Sequence, residues 1–360
     1  MNAPVPNQPY PYVQQWNFDV QREVLGGMLI DVGYAGSKGT HLWTYTQQLN
    51  QLPNQYMSLG SKLLTMVANP FYGLVTTGTL AQPTVQNGQL LRPFPQATGA
   101  NAIAQANRDS IYHSLQVKVE KRFRGGGAIL GAYTFSKNIG NSDSLSTWLE
   151  NNNGGVAGNQ DYYNNRAERS VVSQDVPHRL VMSYVYDLPI GKGKKFFSSA
   201  SGIADKLITG WAFSGVGTYQ SGFPLGLGTA NNLTNSFGGG SRPNYVGGCT
   251  PSIGGAAQPN LNKWFNTSCF TAPPTYTFGN VSRTTPYVRW HGVNNTDFSL
   301  VKATQIGERF MLQFRTEVFN LFNRAQFGPP GTSLGNAQFG VVSTQQNNPR
   351  LIQFALRLAF

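Results

Sequence analysis

Large apolar residues alternate with small or polar residues along the last ten positions of the chain. The apolar positions are Ile352, Phe354, Leu356, Leu358 and Phe360. A period of two, with one apolar and one polar face, predicts a β-strand. A strand of about ten residues is long enough to cross a bilayer when it is tilted. The pattern is equally typical of a half-buried terminal strand in a soluble β-sandwich, so this stretch alone leaves both interpretations open.

The same alternation recurs upstream and predicts a series of antiparallel hairpins. One hairpin turns at the glycine-rich stretch 124–127, and another turns at 25–27. Alternation and turn signals together predict about nine strands, covering residues 12–23, 28–34, 115–120, 128–137, 178–188, 207–220, 296–304, 309–322 and 351–360. The sequence therefore predicts an all-β, antiparallel up-and-down fold.

The connections between these strands alternate between short and long. The short ones span about 4 to 18 residues and the long ones about 28 to 80 residues, by approximate boundaries. A compact soluble domain rarely contains several irregular loops of that length. Outer-membrane barrels, in contrast, combine short periplasmic turns with long extracellular loops. The alternation therefore predicts part of a transmembrane β-barrel with a periplasmic C-terminus.

The remaining segments are predicted to be mostly irregular. Residues 1–11 form an extended N-terminal segment, and 42–110 and 221–295 form long loops. A short helix is predicted over 58–68, where apolar residues recur near helical spacing before Asn69-Pro70. The glycine-rich stretch 36–41 fails the phosphate-loop pattern and is predicted to be a turn.

Composition agrees with a barrel and gives little support to nucleic-acid binding. Charged residues make up only 12% of the chain, glycines number 41, and no apolar run approaches the length of a membrane helix. The formal net charge is +12, but the basic residues are scattered. The densest group, residues 192–195, is typical of a solvated turn. We therefore expect no nucleic-acid partner, and a basic surface would suit outer-membrane lipid and lipopolysaccharide.

The two cysteines, Cys249 and Cys269, lie in one polar stretch rich in Gly and Pro. Their spacing fits no zinc motif. A disulfide that closes a loop is one interpretation and requires an oxidising compartment. Two unrelated thiols are the other.

Candidate catalytic or metal-binding residues are sparse. The four histidines lie in four separate segments, without ligand spacing to one another or to a cysteine. Asp161, Glu168 and Asp175 share one long loop, where a solvated role is simpler than cation binding. We predict no enzyme activity and no cofactor.

Alternation also predicts which polar side chains face the barrel lumen. Charged groups are tolerated there because the interior is wet or plugged. Two roles are open for such charged residues. They could form a ladder of ion pairs that ties strands together or holds a plug, or they could guide a substrate. The predicted lumen-facing residues are Lys118, Glu120, Gln313, Arg315, Glu317, Gln353 and Arg357. The alternating apolar residues of the terminal strand, Ile352 to Phe360, would then face lipid.

Several stretches resemble the C-terminal barrel region of the large TonB-dependent, Oar-like outer-membrane proteins that are abundant in acidobacteria. Asn69-Pro-Phe-Tyr-Gly73, Tyr133-Thr-Phe-Ser-Lys137 and Asp175-Val-Pro-His-Arg179 are examples. The other matching stretches are 11–17, 32–41, 112–116 and 314–324. The resemblance implies a barrel of about 22 strands with a plugged lumen. It also implies a barrel-assembly machinery that contacts the C-terminal strand, and a TonB partner that is reached only through parts upstream of this chain.

Residues 12–360 are therefore expected to be the C-terminal part of a TonB-dependent receptor-like barrel, with plug and signal peptide absent. Nine strands that end in the periplasm begin outside the cell, so an odd number of strands is expected upstream. The predicted function is energy-coupled uptake of a ligand that the long loops capture. The alternative is surface adhesion or ligand binding without transport.

Overall fold

A large antiparallel sheet dominates the computed structural model, which describes residues 2–24, 26–141, 159–253 and 260–360. Nine long strands follow one another in chain order, and each pairs with the next. They are β1 (Tyr12–Val24), β2 (Met28–Gln48), β3 (Asn101–Arg122), β4 (Gly127–Gly140), β5 (His178–Asp187), β6 (Trp211–Gln220), β7 (Val293–Ile306), β8 (Phe310–Phe319) and β9 (Leu351–Ala359). The predicted all-β, antiparallel up-and-down arrangement is confirmed.

Short elements decorate this sheet. Two short strands join it: Asn2–Pro4, from the predicted extended N-terminal segment, pairs in parallel with β3, and Ser170–Val171 pairs with β4. The other short strands are Met66–Ala68, Thr84–Gln86, Pro224–Leu225, Gly228–Thr229, Asn244–Tyr245, Phe270–Thr271, Thr285–Arg289 and Ser333–Leu334. The helices are α1 (Asn87–Leu90), α2 (Gly202–Ile208) and the 3₁₀ segments Asn54–Leu64, Gly78–Ala81, Asn165–Glu168 and Thr267–Cys269. Within the described part of the chain, no helix has the length and hydropathy needed to cross a bilayer.

The predicted tight turns at one end of the sheet are correct. Gly26 and Gly27 join β1 to β2 with φ angles of 80° and 70°, and Gly126 and Gly127, where the turn after β3 enters β4, adopt φ angles of 102° and 113°. Glycine has no Cβ, so it adopts such left-handed backbone without strain. These glycines fix the hairpin register, and with it the face on which every following side chain lies.

The prediction of an irregular segment over 42–110 is wrong at both of its ends. Strand β2 continues to Gln48, and β3 already begins at Asn101, so the stretch 36–41 is strand and not turn. The pairing shifts register between Gly39 and Trp43, around His41, which has a φ of 55°. This bulge interrupts the alternation and hides the continuing strand from a periodicity argument.

Two further predictions need correction. Residues 207–220 do not form one strand, because α2 reaches Ile208 and β6 begins only at Trp211, after Gly210 with a φ of 82°. The segment predicted as a helix over 58–68 is a 3₁₀ segment that ends at Leu64, followed by a short strand. Gly60, which has non-helical angles, breaks the regular turn within that segment.

The four long connections fold together over one end of the sheet. We call their described residues, within 49–100, 159–177, 221–292 and 320–350, the cap. One buried core of the cap contains Leu225, Phe265, Phe270 and Trp290, and Phe339 packs against it. A second core, around Leu52 and Leu63, brings in side chains from both 49–100 and 221–292. The loops therefore form a packed structure rather than the irregular segments predicted from the sequence.

Candidate functional site

The sheet has one polar and one apolar face, and the strand pairing carries both faces across all nine strands. Directly paired residues of antiparallel strands lie on the same face. From β1 to β9 the polar face carries Asp19, Asp31, Gln116, Thr134, Ser183, Ser214, Ser299, Arg315 and Gln353. The apolar face carries Phe18, Val32, Val117, Ile129, Met182, Phe213, Leu300, Phe314 and Phe354.

All seven residues predicted to face a lumen lie on the polar face. Gln313 pairs with Arg357, and Glu317 pairs with Gln353. Arg315 lies between Gln313 and Glu317 on the same strand. Lys118 and Glu120 reach the same face through direct partners on β4, Ala132 and Leu130. The structure thus assembles these residues, which are far apart in sequence, on one surface.

The ion pairs that involve these residues lie within single strands. Lys118 and Arg122 approach Glu120 at 3.8 and 3.0 Å, and Arg315 approaches Glu317 at 3.5 Å. Each pair joins positions two apart on one strand, so these contacts do not tie neighbouring strands together. They are partly exposed, and exposed pairs contribute little to stability.

The terminal strand presents its apolar residues on the opposite face. Ile352, Phe354, Leu356 and Leu358 are all more than half exposed, and the Phe354 ring stacks on Phe314 with centroids 6.1 Å apart. Phe360 follows the last strand residue, Ala359, and is 96% exposed. A bare apolar surface of this extent requires an apolar environment.

Tyrosine and histidine pairs mark the cap side of the apolar face. The Tyr34 hydroxyl lies 2.8 Å from Nδ1 of His113, and the Tyr133 hydroxyl lies 2.8 Å from Nδ1 of His178. Trp16 donates its Nε1–H to Tyr34 at 3.2 Å. Rings with one polar and one apolar edge are typical of the membrane–water boundary. His113 lies nine residues before the end of β3 at Arg122, close to the length that crosses a bilayer.

The acidic residues of the second long connection, within 159–177, are neither solvated nor arranged for a metal. Glu168, Asp175 and Asp161 are 0%, 2% and 6% exposed, so the prediction of a solvated role is wrong. Each is bonded within the protein instead. Asp161 accepts hydrogen bonds from Gln51 and Asn54 at 2.8 and 2.7 Å. Among the described residues, no cluster of three or more His, Cys, Asp or Glu is arranged to hold a metal.

A buried charge network holds the cap together. Arg242 donates to Glu168 Oε1 at 2.6 Å, and Arg283 donates to the Glu168 carbonyl at 3.1 Å. Arg108, on β3, donates to Asn165 at 3.0 Å. Burial raises the pKa of Glu168, and the adjacent Arg242 guanidinium opposes that shift. Burial lowers the pKa of Arg283 to about 10, which leaves it charged at neutral pH.

A second ion pair anchors the cap to the sheet. Asp175 contacts Arg289 at 2.5 Å through Oδ2, and its Oδ1 accepts the backbone N–H of Asn138, on β4, at 2.7 Å. Arg289 also donates to the carbonyl of Gly222, just after β6, at 3.0 Å. Loop and strand are therefore held in one arrangement by charge-assisted hydrogen bonds, which are the stronger kind.

Cys249 and Cys269 form a disulfide, with Cα atoms 5.4 Å apart. Cys269 is completely buried in the core that contains Phe265 and Phe270. The bond closes a loop in the same connection that carries Arg242 and Arg283.

Sequence reasoning missed Arg92, Arg242 and the other basic residues buried in the cap. For Arg92 the sequence contains one indication, which is the lack of an acidic partner in its own segment. Residues 49–100 contain two basic residues, Lys62 and Arg92, and no acidic residue. Arg242 carries no local signal, because its partner Glu168 lies 74 residues away.

The sequence profile of a family described as an outer membrane beta barrel domain matches residues 1–353 of the chain. No curated protein sequence matches it. Among solved structures, the outer membrane transporter YddB from Escherichia coli is 9% identical over 99% of this chain and 33% of its own, with a TM-score of 0.46. FpvA from P. aeruginosa, solved with an iron-bound heterologous pyoverdine, is 12% identical over 96% of this chain and 27% of its own, with a TM-score of 0.37. The chain thus spans a third or less of those two proteins.

Proposed function

Since the chain belongs to the outer membrane beta barrel domain family, we propose that it is the C-terminal part of a TonB-dependent, Oar-like uptake receptor. In this proposal the cap faces the cell exterior and captures a ligand. The polar face of the sheet lines the route inward, and energy from the inner membrane reaches the receptor through TonB and parts outside this chain.

The proposal rests on one observation. The sheet has one polar and one apolar face, and the cap covers only one of its ends. Lipid solvates the apolar face, whereas a water-filled or plugged interior solvates the polar face. Backbone groups at a bare sheet edge find no partner in hydrocarbon. Among the described strands, β1 and β9 each have a neighbour on one side only. Closure into a barrel therefore requires a strand partner at both of these edges.

The proposed orientation of the chain in the outer membrane rests on the same arrangement of sheet and cap. Strand β9 ends beside the start of β8, at the end of the sheet that carries the tight turns. Short turns face the periplasm in bacterial outer-membrane barrels. The C-terminus is therefore periplasmic in this proposal, where the exposed β9 edge is available to the barrel assembly machinery. The net charge of +12 suits contact with lipopolysaccharide.

Labelling of single introduced cysteines in intact cells tests the orientation. Thr275 in the cap and Lys194 in the connection between β5 and β6 are both exposed. A membrane-impermeant maleimide is expected to label Thr275→Cys in intact cells and Lys194→Cys only after permeabilisation. Labelling of Lys194→Cys alone in intact cells would reverse the proposed orientation.

A comparison of the compounds that cells remove from their growth medium distinguishes transport from adhesion. The native bacterium, a strain lacking this gene and a strain lacking TonB are grown on the same mixed extract, and the spent media are compared. Uptake predicts at least one compound that the native strain depletes and that both mutants leave. If gene loss changes surface attachment but no TonB-dependent depletion is found, the adhesion alternative replaces transport.

A further inference from the structure

The cap contains a cavity of about 680 Å³, and none of the described residues that line it belongs to the nine long strands. Its wall includes the short strand Thr84–Gln86, helix α1 and the ring of Phe237. Small-molecule sites in proteins are commonly about 300 to 1,000 Å³ in volume. The cavity is therefore large enough for a small organic ligand.

Arg92 lines this cavity and is only 5% exposed. Its Nε donates to the carbonyl of Asn50 at 2.6 Å, and its Nη1 donates to Oε1 of Gln89 at 2.6 Å. Its Nη2 has no hydrogen-bond partner among the described residues. The guanidinium is thus fixed in place by two neutral acceptors and retains donor capacity.

The positive charge of Arg92 lacks a counter-ion in the cavity wall. None of the described residues that line the cavity is acidic, and the whole segment 49–100 contains no Asp or Glu. Burial lowers the pKa of Arg92 to about 10, so the side chain remains charged at neutral pH. A buried charge without an opposite charge is costly, and an anion in the cavity would offset that cost.

The rest of the wall is neutral and mixed in character. Gln82, Gln86 and Thr84 offer amide and hydroxyl groups. Phe237 and Met66 offer apolar surface, and the Phe237 ring lies 5.0 Å from the Arg92 guanidinium carbon. Such a wall suits a molecule that has hydroxyl or amide groups and an apolar part. A single arginine, with no second basic lining residue in the described chain, matches one carboxylate better than a doubly charged phosphate.

We propose that this cavity binds a small organic acid whose carboxylate pairs with the Arg92 guanidinium. The inference deepens the proposed function and rests on it, because it names the ligand class that the cap captures. Guanidinium groups match carboxylates in shape and form paired hydrogen bonds with them.

The test uses the full chain, purified in detergent, and follows unfolding of the cap by limited proteolysis during heating. The probes are galacturonate with its uncharged counterpart galactose, N-acetylglycine with its amide, and inorganic phosphate. We expect a carboxylate to raise the unfolding temperature of the cap by several degrees at millimolar concentration, and its uncharged counterpart to have no effect. Equal effects of acid and counterpart in both pairs, or a larger effect of phosphate, would overturn the proposal.

Three variants test whether the rise in unfolding temperature comes from binding in this cavity. Arg92→Gln is expected to weaken binding of the effective acid at least tenfold. Thr84→Trp retains Arg92 and fills the cavity from an exposed lining position, so it gives a decisive result even if Arg92→Gln does not fold. Lys62→Gln removes the same charge from the same segment outside the cavity wall, and is expected to bind as the parent does. Binding that survives Thr84→Trp would also refute the site.

Membrane insertion and cysteine labelling test the proposed function separately from the ligand site. The proposed function and the ligand site can therefore fail independently of each other.

Discussion

Glu168 and Arg242 form an ion pair 2.6 Å long although both side chains are buried. They come from two different connections of the sheet, so the pair links loops that the chain places far apart. Oε2 of Glu168 and two nitrogens of Arg242 have no hydrogen-bond partner among the described residues. A buried pair of this kind need not make a fold more stable than an apolar contact would, but loss of one partner leaves the other charge uncompensated.

Glu168→Gln is expected to destabilise the cap by about 3 kcal/mol. Glutamine keeps the size and one acceptor of the side chain but removes the negative charge that pairs with Arg242. Urea unfolding of the cap, followed by protease sensitivity, measures the loss. Glu308→Gln, in an exposed turn, provides the matched control. If both variants unfold at the same urea concentration, the buried pair has no structural role.

Reduction of the Cys249–Cys269 bond is expected to loosen the cap and leave the strands intact. Closing a loop of 20 residues restricts the unfolded chain, which corresponds to about 3 kcal/mol. Reductant should therefore lower the temperature at which protease cuts within 221–292. A double Cys→Ser variant should start at that lower temperature and not respond to reductant. If reductant still lowers the cutting temperature of the double variant, the effect does not come from the Cys249–Cys269 bond.

Phe354→Arg is expected to impair insertion into lipid vesicles by about 2 kcal/mol, because it places a charge on the apolar face. Gln353→Arg, at the neighbouring position, places the same charge on the polar face opposite Glu317. It should insert as the parent does. Insertion yield can be measured by the change in gel mobility between folded and heat-denatured protein. Equal impairment of both variants would contradict the assignment of the two faces.

Gly36→Ala is expected to destabilise the sheet by about 1 kcal/mol through overpacking. A Cβ at this position would lie 2.5 Å from atoms of the Trp16 indole, so the ring would have to move and lose its bond to Tyr34. Gly131 lies on the same apolar face, and a Cβ there would meet nothing within 4 Å. Gly131→Ala is therefore the control, and unfolding in detergent compares the two. A smaller loss for Gly36→Ala than for Gly131→Ala would show that Trp16 does not constrain this position.

The sequence by itself determined the strands and their two faces. Side chains of a strand alternate from one face to the other, so residues such as Gln353 and Phe354 reveal opposite environments without any tertiary information. The same rule failed where geometry broke the period. The bulge around His41 interrupts the alternation within one continuous strand, and at Gly210 helix α2 gives way to β6 at a point that the residue pattern does not mark.

Only the tertiary structure decided the cap and its buried charges. Glu168 and Asp175 lie in a polar stretch, where a carboxylate that is buried against arginine and one that is solvated look the same in sequence. Their environment depends on Arg242 and Arg289, which lie 74 and 114 residues away. Strand alternation is a local consequence of backbone geometry and repeats every two residues. Contacts between loops have no period, because they arise only once the sheet has brought the loop ends together.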